Sequence, residues 1–152
     1  MKISDVNGKI KAELKSKTGC TKLKLIIHGW EFPKIQRGED SKWLFISIHF
    51  KSPRYSAYIK REPGIKIEEV SDIYSLLKDL LGESKKSIKI KLSEPYLDMS
   101  IKLLKEDEFM IKGVINDIDT DSGSLKFEFE SNKKCLKKFC EKLEEVMSKY
   151  KR

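Results

Sequence analysis

The sequence predicts an α+β fold: one domain over residues 1–152, with about eight mainly antiparallel strands and two packed helices in the order ββββα-ββββα. Three observations predict it. Apolar and polar residues alternate with period two over most of the chain, the mark of half-buried antiparallel strands. The period changes to three and four at only two places, each after a group of strands. No Gly/Ser-rich linker separates the two groups, so one antiparallel assembly with two helices laid on it is expected.

The elements follow in order. Ile10, Ala12 and Leu14 alternate with Lys9, Lys11, Glu13 and Lys15, and Leu23 to Ile27 repeats the pattern. Residues 43–50 form the strongest apolar strand, with Leu44, Ile46, Ile48 and Phe50 on one face and Trp43, Phe45, Ser47 and His49 on the other; both faces are expected to be covered. Pro53 marks a turn or edge. Ala57 and Ile59 give a shorter fourth strand ending at Glu62-Pro63-Gly64. Val70, Ile73, Tyr74, Leu77 and Leu80 then step at helical spacing, and Gly82 stops that helix. Alternation returns at Ile88, Ile90 and Leu92, at Leu97 to Leu103, at Phe109, Ile111 and Ile115, and at Leu125, Phe127 and Phe129. The last helix starts after Ser131 or Asn132, both good N-caps. It carries Leu136, Phe139, Leu143, Val146 or Met147 and Tyr150 as its apolar stripe, with Lys133, Lys134, Lys137, Lys138 and Lys142 largely toward solvent.

Composition bounds the function. A chain of 152 residues hides roughly 70% of its unfolded surface, enough for a core without disulfides or a structural metal. Apolar residues make up 39% and charged residues 37%, spread throughout, which argues against disorder. The longest apolar run, Trp43 to Ile46, falls far short of the roughly 18 residues of a membrane span. Met1-Lys2-Ile3-Ser4-Asp5 has no apolar stretch behind it to act as a signal peptide. A cytoplasmic protein with no membrane partner is expected. Cys20, Cys135 and Cys140 are odd in number and lack paired spacing, so reduced thiols are expected. Cys135 and Cys140, about 140° apart around a helix, read as buried small hydrophobes.

The net charge is +8, which invites a phosphate-binding or acidic partner. Its distribution weakens that reading. Residues 1–76 hold 15 Lys+Arg against 9 Asp+Glu, and residues 77–152 hold 17 against 15, with acids interleaved throughout. Only 4 of the 32 basic residues are Arg, the side chain best suited to bidentate phosphate or guanine contacts. A solvated, solubility-setting surface is the plainer account.

No catalytic, metal or cofactor motif stands out. His28 and His49 have no ligand spacing to a cysteine or to each other. The chain contains no nucleophile elbow, no phosphate loop ending in Gly-Lys-Ser/Thr and no dinucleotide fingerprint. Asp117-Ile118-Asp119-Thr120-Asp121-Ser122-Gly123 resembles a calcium loop in part, with Glu128 in the twelfth place, but its glycine stands seventh rather than sixth and its flanks read as strands. A hairpin turn uses the same residues. Glu31, Glu39, Asp40, Glu94 and Asp98 have no spacing that fixes a carboxylate pair. Trp30, Phe32, Trp43, Phe45, Phe50, Tyr55 and Tyr58 cluster among basic residues up to Arg61. Core plus rim, a protein-binding surface and a stacking surface for single-stranded nucleic acid are all open readings of that cluster.

Three motifs stand in order along the chain. Gly29-Trp30-Glu31-Phe32-Pro33 closes the second strand and is followed by Glu39-Asp40 and Trp43-Leu44. Leu92-Ser93-Glu94-Pro95-Tyr96-Leu97 joins two later strands, where a carboxylate beside a proline is placed to accept backbone hydrogen bonds. Leu125 to Glu130 leads into the amphipathic last helix. Over roughly residues 22–150 this resembles the WapI-type immunity protein family. The resemblance implies a bacterial antitoxin that binds a protein partner, the toxic C-terminal domain of a wall-associated or contact-dependent toxin, often a nuclease, and blocks it by stoichiometric occlusion, with no enzyme activity and no cofactor. Immunity proteins against nucleases are often acidic and this chain is not. The partner-binding residues the motifs imply are Trp30, Glu31, Asp40, Trp43 and Glu94, and the charge directs attention to a local acidic patch at Glu106, Asp107 and Glu108 or at Asp117 to Asp121. A nucleic-acid-binding module built on residues 30–61 is the alternative.

Overall fold

A computed structural model of the chain describes residues 8–116 and 123–151. Four strands, β1 (Ile10–Lys15), β2 (Lys22–Trp30), β3 (Trp43–Lys51) and β4 (Ser56–Lys66), precede helix α1 (Ile67–Leu81). Four more, β5 (Ser87–Lys91), β6 (Leu97–Lys105), β7 (Glu108–Asn116) and β8 (Ser124–Asn132), precede helix α2 (Lys133–Lys149). Each group forms its own antiparallel sheet in sequence order. The α+β class and the ββββα-ββββα order are as the alternation predicts.

The alternation also decides what is buried. Leu44, Ile46, Ile48 and Phe50 are at most 3% exposed, and the Phe50 ring stacks on Phe127 of the other sheet at 4.9 Å. One hydrophobic core results, shared by the inner faces of both sheets and the apolar stripes of both helices. Helix α1 packs on β4, β5 and α2, while α2 lies along β1. The outer face of β3 is screened by long side chains of β4 rather than by another layer: Arg61 lies over the Phe45 ring at 4.4 Å, Lys66 over Trp43 at 5.2 Å, and Tyr58 meets His49 edge-on.

Two tethers fix the sheets at one corner. Ser131 Oγ donates to the Lys15 carbonyl at 2.6 Å, and the Lys17 N–H donates to the Glu130 carbonyl at 2.9 Å. Ser131 is therefore not the cap of α2. Asn132 is, accepting from the Cys135 N–H at 2.9 Å, which satisfies one of the free donors of the first turn.

Two expectations need correction, for β4 and for Cys135, and helix α1 ends at Gly82 as the sequence predicts. Strand β4 does not end at Glu62-Pro63-Gly64 but runs on to Lys66. It is an edge strand, and two register shifts against β3 absorb the proline, the setting in which a sheet tolerates one. Helix α1 starts at Ile67, ahead of the first apolar-periodic residue. At its other end Gly82 has φ −85°, and Glu83 takes the left-handed position at φ +62°. The Glu83 N–H donates to Leu80 O and the Ser84 N–H to Asp79 O, the paired bonds that close a helix around a left-handed residue. Lastly, Cys140 is buried but Cys135 only half so, because it flanks an open cleft beside α2.

Two stability changes follow. A Cβ at Gly113 would lie 2.5 Å from Phe127 Cζ, 2.7 Å from Met99 Cβ and 2.8 Å from the Asp98 carbonyl. Gly113→Ala should therefore cost about 1–3 kcal/mol by overpacking, read as a lower denaturant midpoint; an unchanged midpoint would show that the sheet yields freely there. Glu83→Gly should gain about 0.5–1 kcal/mol by removing the strain of a side chain at positive φ. A lower melting temperature for that variant would refute the assignment.

Candidate functional site

The candidate residues fall into two groups. The first is built where β2 ends. The β2–β3 register shifts between Ile27 and Gly29, and Gly29 adopts φ +141°, which turns the chain out of the sheet into a loop over residues 31–42. The Glu31 N–H donates to the Trp43 carbonyl at 2.9 Å, closing the base of that loop. Trp30 meets the ring of Tyr150 edge-on at 5.5 Å, and the Tyr150 hydroxyl donates to Gly8 O. Trp30 thus joins the sheet end to the end of α2.

On the loop, Glu31 and Asp40 lie close enough to interact. Partial burial raises the Glu31 carboxyl above its usual range, and the Asp40 charge raises it further. A short 3-10 turn, Glu39–Lys42, carries Asp40 at the surface. Lys42 bridges Glu39 at 3.3 Å and Glu68 at 3.8 Å, and Lys66 reaches Glu39 at 3.5 Å. Lys42 and then Lys66 hold Glu39 below the ordinary carboxylate range. Phe32 and Ile35 are 39% and 41% exposed beside these charges.

Glu94 adjoins this group on the β5–β6 loop, but the carboxylate that accepts backbone hydrogen bonds there belongs to Glu69. Its two oxygens accept from the Lys66 N–H at 2.9 Å and the Ser93 N–H at 2.8 Å. One side chain in the first turn of α1 thereby ties β4, the helix and the β5–β6 loop together, a favourable place for an acid against the helix dipole. Trp30, Glu31, Asp40, Trp43 and Glu94 accordingly gather at one end of the molecule.

Glu106, Asp107 and Glu108 do not join them. They form the β6–β7 turn, with Asp107 at φ +52°, beside the C-terminal end of α1, where Glu106 and Asp107 share a hollow with Leu81 and Glu83. The 15 residues of α1 separate the groups by about 22 Å at 1.5 Å per residue. The turn is partly engaged. The Asp107 carbonyl accepts from the Lys133 N–H at 3.0 Å, and Glu108 pairs with Lys17 at 3.3 Å and Lys105 at 3.7 Å. Lys17 also reaches Glu130, and the two carboxylates, Glu108 foremost, raise its ammonium above the usual lysine range.

The aromatic cluster of residues 30–61 is dispersed. Phe50 is core, Trp43 and Phe45 are half-buried beneath Lys66 and Arg61, and Tyr55 and Tyr58 are 58% and 51% exposed. His28 shares a 2.7 Å hydrogen bond with Ser47 Oγ; burial, then Lys9 and Arg61, lower its pKa below the usual imidazole range. The segment Asp117 to Asp121 lies outside the described residues. Among the described residues no group of three His, Cys, Asp or Glu is placed to hold a metal ion, and no helix is long and apolar enough to cross a membrane.

What the strand and helix patterns do not reveal is a cleft of about 930 Å³ between α2 and the outward face of β1 and β2. Its lysines come from both ends of the sequence, so only the packing of α2 along β1 brings them together. The spacing of Lys134, Lys138 and Lys142 on one flank of α2 was its only sequence signal.

Among solved structures, the chain is similar to one in the crystal structures of Trypanosoma bruciei MRP1/MRP2, at 7% identity over 93% of this chain and 86% of that one, with a TM-score of 0.45. Likeness at that level carries no inference. No curated protein matches the chain. A family model does: that of the immunity protein WapI-like family matches residues 13–151, from within β1 to beyond the end of α2. Spanning both sheets and both helices, that match shows that the chain belongs to the WapI-like immunity protein family.

Proposed function

We propose that the chain is the cytoplasmic antitoxin of a bacterial toxin–immunity pair, binding the toxic C-terminal domain of a polymorphic or contact-dependent toxin and covering its working surface. The observation that carries this reading is the family match over nearly the whole fold. Occlusion needs a complementary patch of roughly 800 Å² on each partner and no reacting group of its own, so the chain acts as a binding protein rather than an enzyme.

The end formed by Trp30, Glu31, Asp40, Trp43 and Glu94 is the surface we assign to the toxin. It combines exposed apolar side chains, Phe32 and Ile35, and carboxylates on a loop closed at its base with the half-buried Trp30 and Trp43 that flank it. Aromatic anchors ringed by polar groups are the usual composition of binding hot spots. If the toxin is a nuclease with a basic cleft, Glu31 and Asp40 supply the negative charge locally, despite a whole-chain charge of +8. Glu106 and Asp107, exposed at the far end of α1, form the secondary contact, and Glu108 contributes less because two lysines neutralise it.

The test is co-expression and titration with the toxin C-terminal domain encoded beside this chain's gene. Wild-type chain should protect cells and bind with 1:1 stoichiometry. Asp40→Lys combined with Phe32→Asp, both at exposed positions, should weaken binding at least tenfold, about 1.4 kcal/mol, with little change in melting temperature. Neither protection nor binding by the wild-type chain would sink the reading.

A further inference from the structure

We propose that the cleft between α2 and the outward face of β1 and β2 receives an acidic polypeptide segment of the toxin; this deepens the immunity reading and rests on it. Among the described residues, seven lysines and three glutamates line the cleft. Much of that charge is already matched: Glu13 pairs with Lys15 at 3.4 Å and Lys24 at 3.6 Å, Glu145 with Lys142 at 2.9 Å, and Lys17 with Glu108 and Glu130. Lys11, Lys134 and Lys138 are exposed and make no ion pair among the described residues. They stand on facing walls, one from β1 and two from α2.

The sequence of α2 concentrates charge there against its own stability. Its first turn holds no acid. Lys133, Lys134, Lys137 and Lys138 crowd its N-terminal half, where the dipole is already positive and where lysines three and four apart repel one another. The Glu106–Glu108 turn approaches this end, but it meets Lys133 through a backbone carbonyl and spends the Glu108 carboxylate on Lys17 and Lys105. With Glu141 the one lining glutamate outside these ion pairs, three unpaired lysines leave the cleft wall a positive excess among the described residues, which a bound carboxylate-rich segment relieves.

The lining favours polypeptide over nucleic acid. Among the described residues it contains no aromatic side chain and no arginine, so these offer neither stacking platforms nor planar forks for phosphate. Its glutamates, Glu13, Glu141 and Glu145, would repel a continuous phosphate chain, whereas an acidic polypeptide carries its carboxylates on separate side chains and can set them on the lysines clear of these glutamates.

The experiment measures binding of the same toxin domain to wild-type chain and to the triple variant Lys11→Glu, Lys134→Glu, Lys138→Glu, at low and high salt. The variant should bind at least tenfold more weakly at low salt and lose most of the salt dependence of the wild type. Its melting temperature should hold or rise, since glutamate at position 134 suits a helix start. Equal affinity and equal salt slope for the two proteins would overturn the site while leaving the immunity reading intact. Absence of wild-type binding would overturn both. Tight binding of a 20-nucleotide oligouridine by the wild type, abolished in the variant, would reassign the cleft to nucleic acid and overturn the proposal.

Discussion

The stack of Phe50 on Phe127 is the contact on which the rest of the structure depends, because it is where the inner faces of the two sheets meet. Phe127 reaches that position by leaning over Gly113 on the neighbouring strand, a place where any Cβ would collide with the ring. Phe129 extends the contact at 6.1 Å from Phe127 and 6.5 Å from Phe50. Three aromatic rings bury large area at one crossing, and the missing side chain of Gly113 is what makes room for them. Once β3 and β8 are fixed together, the corner bonds of Ser131 and Lys17 follow, and with them the line along which α2 leaves β8 and lies beside β1.

From that line the two surface regions take their places. Helix α2 begins at the Lys15–Lys17 corner and ends at Trp30, whose ring meets Tyr150, so the lysine cleft and the loop over residues 31–42 occupy successive stretches of one flank. The loop end is held differently. Glu69 accepts two backbone N–H groups from separate segments, and charge-assisted bonds of this kind are roughly twice as strong as neutral ones. Hydrogen bonds of this kind under a loop that carries Phe32, Ile35 and Asp40 would limit the ordering cost of the toxin docking proposed there.

Much of this fold was legible because burial follows alternation. The inward residues of β3, β5, β6 and β8 are those their period-two pattern names, and Asn132 caps α2 as a residue of its kind should. The misreadings share a cause: local rules depend on neighbours that the sequence does not show. Pro63 ends a central strand but not an edge strand with two bulges, and edge position is a property of the sheet. Gly82 ends α1 as read, but the closing bonds put the left-handed residue one position on, at Glu83, which its residue type does not announce. Glu94 has the right type and flank for accepting backbone bonds, but Glu69 occupies the geometry. Trp30, Glu31, Asp40 and Trp43 were recognisable together because they lie close in sequence; Lys11 and Lys138 were not, since only the packing of α2 on β1 makes them neighbours.

The net charge of +8 looks different once it is placed in space. Averaged over the surface it is a modest excess, with many lysines paired to nearby carboxylates in exposed bridges that contribute little each. Locally it is uneven. The end around Glu31, Glu39, Asp40 and Glu68 balances acid against Lys42 and Lys66, while the start of α2 collects lysines with no acid in its own first turn. A chain selected for helix stability alone would put carboxylates there. Lysine-rich composition accounts for the number of these side chains, while their position opposes the dipole of α2, and it is on this local excess, not on the whole-chain charge, that the proposed acidic contact rests.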